Sequence, residues 1–385
     1  MELLGLLERV TVAVLARSCK RVASGSANAH VKKGEDFYCW MTVRVPLVFA
    51  PVMRLSFPHR PVLATGLLLL VGAPLLRTKP AVAHSAASCP AFPRSAAAPA
   101  FALDYQGIET RSPINAAFVL PGQTLDVAVE RSTAAEQVVV RASAGAVSQA
   151  GTSSWQWHAP DAPGSYTLQV EGSCAADSMV VRAFVMVPAS AAHAGYLNGF
   201  RIGRYPPTPA RRQAFYQPPA GFIEVTPENE DLYITPHLQL RQFLTKQPGG
   251  FPKYVVLDPR LLLKLELILQ EAQAAGYVRQ GFYVMSGYRT PAYNHDLGNV
   301  EFSRHQYGAA ADIFIDEHPK DGVMDDLNHD GRIDIRDAAV LYQLIDRHQA
   351  DPEYRSLIGG LAMYSSTSAH GPFVHVDVRG YSARW

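Results

Sequence analysis

The chain has 385 residues, 48% of them hydrophobic and 18% charged, with a formal net charge of +1 at pH 7. That length accommodates two domains plus a targeting segment. Near-neutrality argues against a nucleic-acid partner and against strong attraction to charged lipid, and the hydrophobic content argues against a disordered chain.

Residues 1–52 carry scattered basic residues, Cys19 and Cys39, and no clear periodicity. They read as a doubtful extension upstream of a start at Met53. From there Arg54, His59 and Arg60 form a basic region, Pro61 to Leu76 an apolar run, and Ala81-Val82-Ala83 a small-x-small cleavage site. Residues 53–83 are therefore expected to be a signal peptide, the alternative being an uncleaved anchor. The apolar run is short of the roughly 20 residues a membrane span needs. The expectation is export to the periplasm or cell envelope, with no stable span after cleavage. Cys89 and Cys174 would remain and can pair in an oxidising compartment. Free thiols, or a lipidated Cys89, are the alternatives.

Over 102–188 the hydrophobic period is two. Leu125, Val127 and Val129 alternate with polar or small residues, as do Tyr166, Leu168 and Val170, with turn signals at Pro121-Gly122, Asp161–Gly164 and Glu171-Gly172. Short strands at this spacing predict an all-β sandwich. The stretch Trp157–Val170 resembles the end of a bacterial immunoglobulin-like module, which implies a spacer or binding role. Residues 189–250 form a connector rich in Pro, Tyr and Gly, expected to be extended and ordered by docking on a neighbour.

Residues 251–385 alternate helices and strands. Asp258-Pro259 supplies an N-cap and a first-turn proline for a helix with a broad leucine face, closed by Gly276. Strands are predicted at 282–285, 310–315, 361–364 and 373–378, and a helix at 336–348. The arrangement is α+β, an antiparallel sheet with flanking helices.

Three segments carry chemistry. Ser303 to Asp312 follows S-x-H-x-x-G-x-A-x-D, in which His305 offers an imidazole and Asp312 a carboxylate, both good zinc donors. In Phe373-Val374-His375-Val376-Asp377, alternate residues of a strand share a face, so His375 and Asp377 point the same way. In Ser286-Gly287-Tyr288-Arg289-Thr290, a strand end presents Arg289. Any one of these histidines alone reads more simply as an ordinary surface or core residue.

Taken together, the three segments resemble the zinc D-Ala-D-Ala peptidases and murein endopeptidases, a group that extends to lysostaphin-type enzymes and the hedgehog signalling domain. The likeness covers roughly Tyr283 to Trp385, and the closing Gly359-Gly360-Leu361, Phe373–Asp377 and Ala383-Arg384-Trp385 are similar to the small periplasmic murein endopeptidases. It implies zinc on His305, Asp312 and His375, with the fourth position open to water, as in a catalytic site. It implies amide hydrolysis in peptidoglycan peptides, with Arg289 stabilising an oxyanion or holding a substrate carboxylate, and Ser303 and Tyr288 lining the substrate site. Many members place a general-base Glu three residues before the last ligand. Here Pro372 stands there, and Phe373 stands where the lysostaphin pattern needs His. Asp377 and His370 are the candidate bases that remain, with Asp377 preferred; its alternative role is to orient a ligand histidine.

A second motif lies at 326–337. Asp326, Asn328, Asp330, Arg332 (through its carbonyl), Asp334 and Asp337 take positions one, three, five, seven, nine and twelve of a calcium loop, with Gly331 at the sharp turn. The expectation is a structural Ca2+ ion bracing an inserted loop; the alternative is an acidic surface loop without metal. For the whole chain, the alternative to a Zn2+ peptidase is a non-catalytic zinc-containing module that binds cell wall or protein.

Overall fold

Period-two alternation becomes two sheets in the computed structural model, which describes residue 99 and residues 101–385 apart from 132–137 and 173–177. Phe101–Tyr105, Ile108–Thr110, Thr124–Arg131, Ala146–Gly151 and Ser154–His158 form one sheet; Ile114–Val119, Val139–Ala142, Gly164–Glu171 and Ser178–Val185 form the other. Pairing is antiparallel except for Ile114–Val119 beside Ser178–Val185, which is parallel. Leu103, Val127 and Trp157 of the first sheet meet Leu168, Val170 and Val181 of the second in one apolar cluster. Burying the indole leaves its N–H in need of an acceptor, and it donates to the Ala144 carbonyl at 2.8 Å. The expected extension, signal peptide and Cys89 all lie outside the described residues, as does Cys174. Among the described residues no helix is long and apolar enough to cross a membrane.

The Pro- and Tyr-rich segment after 188 is part of the larger core. Leu197, Phe200, Ile202, Phe222, Leu240 and Phe243 are buried in the same cluster as the leucines of the first long helix. Polar groups pin it as well. The Tyr205 hydroxyl donates to the Gln306 carbonyl at 3.0 Å and lies 3.0 Å from the Tyr288 hydroxyl. Gly221–Val225 pairs with Val187–Pro188 on one side and Lys253–Val255 on the other. Ala116 and Phe184 extend this core to the second upstream sheet.

Helix α1 (Pro259–Ala274) starts where the sequence signals it, the Asp258 carboxylate accepting from the Arg260 amide at 3.0 Å. Its buried Leu261, Leu262, Leu265, Ile268 and Leu269 each contribute about 2 kcal/mol by leaving water. The short α2 spans Pro291–Asp296, and α3 spans Ile335–His348, burying Ala338, Leu341, Leu344 and Ile345. The C-terminal sheet runs in the order Tyr283–Ser286, Ala310–Phe314, Phe373–Asp377, Gly360–Tyr364, Ala383–Arg384. All neighbours are antiparallel except the last pair. Its register places Asp312 opposite both Ser286 and His375. The described chain is thus a set of sheets with few helices, α+β in its C-terminal part.

Candidate metal centre

A single helical turn, Arg304–Tyr307, presents His305. Gly308 ends it at φ 64°, a left-handed conformation, and a Cβ there would overlap the Val256 carbonyl oxygen. The tight reversal returns the chain into the strand that carries Asp312, and the neighbouring strand brings His375 directly opposite. Sequence separation is thereby converted into contact, and all three side chains are buried.

The hydrogen bonds fix what the rings offer. Nδ1 of His305 lies 2.7 Å from the Gly287 carbonyl, which can only accept, so Nδ1 carries the proton and Nε2 a lone pair. Nε2 of His375 lies 3.2 Å from the Asp377 carboxylate and Nδ1 2.8 Å from that of Asp312, so a cation held at Nδ1 leaves the proton on Nε2. Nε2 of His305 and Nδ1 of His375 are 3.3 Å apart, and Oδ1 of Asp312 is 3.2 Å from one and 2.8 Å from the other. Tetrahedral zinc with bonds of about 2.0–2.1 Å sets its donors about 3.3 Å apart. Two ring nitrogens and an anionic oxygen converging on one buried point can hold a cation between them, so the donor set fits zinc. Without one, a proton takes that place. Burial disfavours charge on His375, yet Asp312 and Asp377 on its two nitrogens hold its pKa above the usual value. Burial pushes His305 down. Burial alone would raise Asp312, but the two histidines hold it well below the carboxylate range.

Surrounding groups hold the donors in place. The outer oxygen of Asp312 accepts from Arg289 Nη2 at 2.6 Å, and Arg289 Nε donates to Ser286 Oγ at 2.8 Å. Asp377 is fully buried behind His375, where it accepts from the Gly360 amide at 2.7 Å and from Arg379 Nε at 2.8 Å. Its acceptor capacity is taken up by Gly360, Arg379 and the far nitrogen of His375, an arrangement that suits the alternative role of Asp377, orienting a ligand histidine, better than that of a base. His370 stands outside the cluster, its Nδ1 2.8 Å from the Gly371 carbonyl and its ring against Phe373. Tyr288, expected at the substrate site, is 1% exposed and faces Tyr205, because alternation along its strand end turns it into the core. Ser303 is buried at the start of the His305 turn, and its side chain does not cap that turn.

The 326–337 loop is built differently from the zinc centre. Asp326 accepts from the Asp330 and Gly331 amides, and Asn328 from the Asp330 amide. Asp330 pairs with Arg336, and Asp334 caps α3. Asp337, fully buried, accepts from the Asn328 and Asp334 amides. Among the described residues, three His, Cys, Asp or Glu donor atoms come within 4.8 Å of one another at His305, Asp312 and His375, and the loop's carboxylates form no such group.

Sequence reasoning missed three neighbours of the centre. They are the Gly287 carbonyl, the Trp385 ring 5.3 Å from the His375 ring, and Lys246, whose ammonium is pushed down by burial and by the Arg289 charge against the pull of Asp312. The tryptophan stood in the closing motif; Lys246 carried no signal in its Pro/Gly-rich surroundings.

Residues 255–337 match the family model described as Peptidase M15. No curated protein and no solved structure matches the chain. The matched stretch includes Arg289, His305 and Asp312 and ends before His375, which the sheet register brings in. The C-terminal part of the chain is a zinc peptidase domain of the Peptidase M15 family.

Proposed function

We propose that this chain is an exported zinc peptidase that hydrolyses peptide bonds in peptidoglycan stems or cross-links. The observation that carries the reading is the convergence of two imidazole nitrogens and the Asp312 carboxylate at one buried point within a Peptidase M15 domain. His305, Asp312 and His375 would hold the ion. Bound there, zinc polarises the scissile carbonyl and acidifies a water molecule. Asp377 keeps the His375 ring in the tautomer that offers Nδ1, and Arg289 faces the charge that develops on the carbonyl oxygen. With Asp377 committed, proton transfer falls to His370, on the loop entering the His375 strand. Its Nδ1 is held by Gly371, which leaves Nε2 to take the proton of the attacking water and return it to the amine as the C–N bond breaks.

The upstream sheets, which share one core, support an immunoglobulin-like sandwich acting as spacer or wall-binding module. The ligand register of 326–337 supports a structural calcium ion, a reading that fails if titration at millimolar calcium gives no heat. A second reading, a zinc-containing binding module without catalysis, is favoured by Pro372 standing where the general-base Glu is expected and Phe373 where the lysostaphin pattern needs His. Digestion of purified peptidoglycan with wild type and His305→Ala, followed by mass spectrometry of released muropeptides, separates the two. Product from wild type alone supports the peptidase; equal product from both ends the claim. Export is tested by N-terminal sequencing of the native protein, which should begin after Ala83.

A further inference from the structure

The two oxygens of Asp377 are held by different sets of donors. Oδ1 accepts from the Gly360 amide at 2.7 Å and from the Arg379 amide at 3.0 Å. Oδ2 lies 3.2 Å from His375 Nε2 and accepts from Arg379 Nε at 2.8 Å, with Arg379 Nη2 closing the fork. The ligand histidine and the guanidinium therefore meet on one oxygen. Asp377 is fully buried, and a carboxylate out of water needs a paired cation and a full set of donors. The Arg379 fork supplies the cation and completes the set. The Asp377 backbone is pinned as well, its carbonyl accepting from Lys264 Nζ at 2.9 Å.

An indole covers the pair. The Arg379 guanidinium lies 4.7 Å from the centre of the Trp385 ring, and the same ring is 5.3 Å from that of His375. Trp385 Nε1 donates to the Tyr364 hydroxyl at 2.6 Å, and Tyr364 stacks at 4.7 Å on Phe373. Phe373 opens the strand that carries His375, so the indole is tied to the same strand as the ligand. Gly360 leaves room for the assembly. A Cβ there would overlap the Asp377 carboxylate and crowd both the Trp385 ring and the Arg379 guanidinium. At Gly359 it would overlap the Asp377 carbonyl. The two glycines, Asp377, Arg379 and Trp385 thus form one body around a single carboxylate.

We propose that Arg379 and Trp385 are positioning residues of the metal centre: Arg379 fixes the oxygen to which His375 Nε2 donates, and Trp385 roofs the ion pair and keeps water from replacing either partner. Neither supplies a metal donor, so both act through Asp377 and the orientation of the imidazole. The inference rests on the zinc reading and names what holds the third ligand in place. The sign of the effect separates positioning from plain electrostatics. A guanidinium this near repels a divalent cation, so charge alone predicts tighter zinc binding when Arg379 is neutralised. Positioning predicts weaker binding, because a carboxylate without its fork no longer holds the ring.

The test titrates zinc into the full chain, reading affinity by competition with a chromophoric chelator and the His375 ring nitrogens by 15N NMR. Arg379→Gln should weaken zinc binding about 10- to 100-fold. Arg379→Lys, which keeps the charge but loses the fork, should weaken it about 3- to 10-fold. In an Asp377→Asn background Arg379→Gln should cost less than about 3-fold, since the group through which it acts is gone. Trp385→Ala, at an exposed position, should lose about 3- to 10-fold, and Trp385→Phe should recover most of it. In zinc-loaded wild type the His375 proton should sit on Nε2, and its resonance should broaden in Arg379→Gln. Unchanged or tighter binding in Arg379→Gln, or in Arg379→Lys should the glutamine form not fold, would overturn the role of Arg379, as would an undiminished loss in the Asp377→Asn background. Unchanged binding in Trp385→Ala would overturn that of Trp385. Tight binding by wild type with every variant unmoved ends the inference alone, whereas no zinc binding by wild type ends the zinc reading with it.

Discussion

Replacing Asp377 by Asn removes one negative charge from behind His375 and leaves every metal-facing atom in place. In the native site the carboxylate accepts from His375 Nε2 at 3.2 Å, from the Gly360 amide at 2.7 Å and from Arg379 Nε at 2.8 Å. Asparagine keeps one acceptor and turns an NH2 group toward either the imidazole N–H or the guanidinium, a donor against a donor. Loss of such an outer partner costs about 10- to 100-fold in metal affinity, or about 1.4 to 2.8 kcal/mol. Because the site is fully buried and water cannot replace the lost acceptor, the expectation is the upper half of that range. The metal-free protein should also lose about 1 to 3 kcal/mol of stability, less than a fully buried broken pair because the Arg379 side chain is 16% exposed. Zinc affinity by competition with a chromophoric chelator, urea melts of the metal-free forms, and kcat at saturating zinc are the measurements. Unchanged affinity with kcat collapsed at saturating zinc would refute the orienting role and restore Asp377 as the base.

Burial pushes Lys264 down to about 8 from 10.5, and its ammonium donates to the Leu357 and Asp377 carbonyls. Below pH 8 folding must bury the charge, and above 10.5 neither state carries it, so the unfolded chain binds more protons between these values and stability rises with pH. The gain from pH 7 to 9.5 should be about 2 kcal/mol in urea melts, and its persistence in Lys264→Met would refute the cause. Gly308→Ala should cost about 3 kcal/mol or more, since a side chain at φ 64° would overlap the Val256 carbonyl; near-native melting would show that the turn can relax. Asp337→Ala should cost about 2 kcal/mol in thermal melts with chelator present, because it strands the half-buried Asn328 and Asp334 amides; an unchanged melting temperature would show that the loop repairs itself.

Much of the local structure was legible because it is governed by neighbours in the chain. The Asp258-Pro259 cap starts α1, period-two alternation marks the strands, and Gly308 permits the turn between His305 and Asp312. The calcium-loop register was equally visible, yet those same carboxylates can serve backbone amides and Arg336, and spacing does not distinguish the two uses. Tyr288 shows a related limit. The motif placed it at the site, but which side of a strand end faces inward depends on what packs there, and Tyr205 arrives from 83 residues away.

By itself the sequence determined which donors are present, His305, Asp312 and His375, and that short-range geometry can bring the first two together. Only the tertiary structure decided that His375 lies opposite Asp312, that Asp377 stands behind His375, and that Trp385 lies against the His375 ring. The reason is physical. Cap and turn preferences act within a few residues, whereas strand register across 63 residues and the docking of a Pro-rich segment are settled by burial of a shared core.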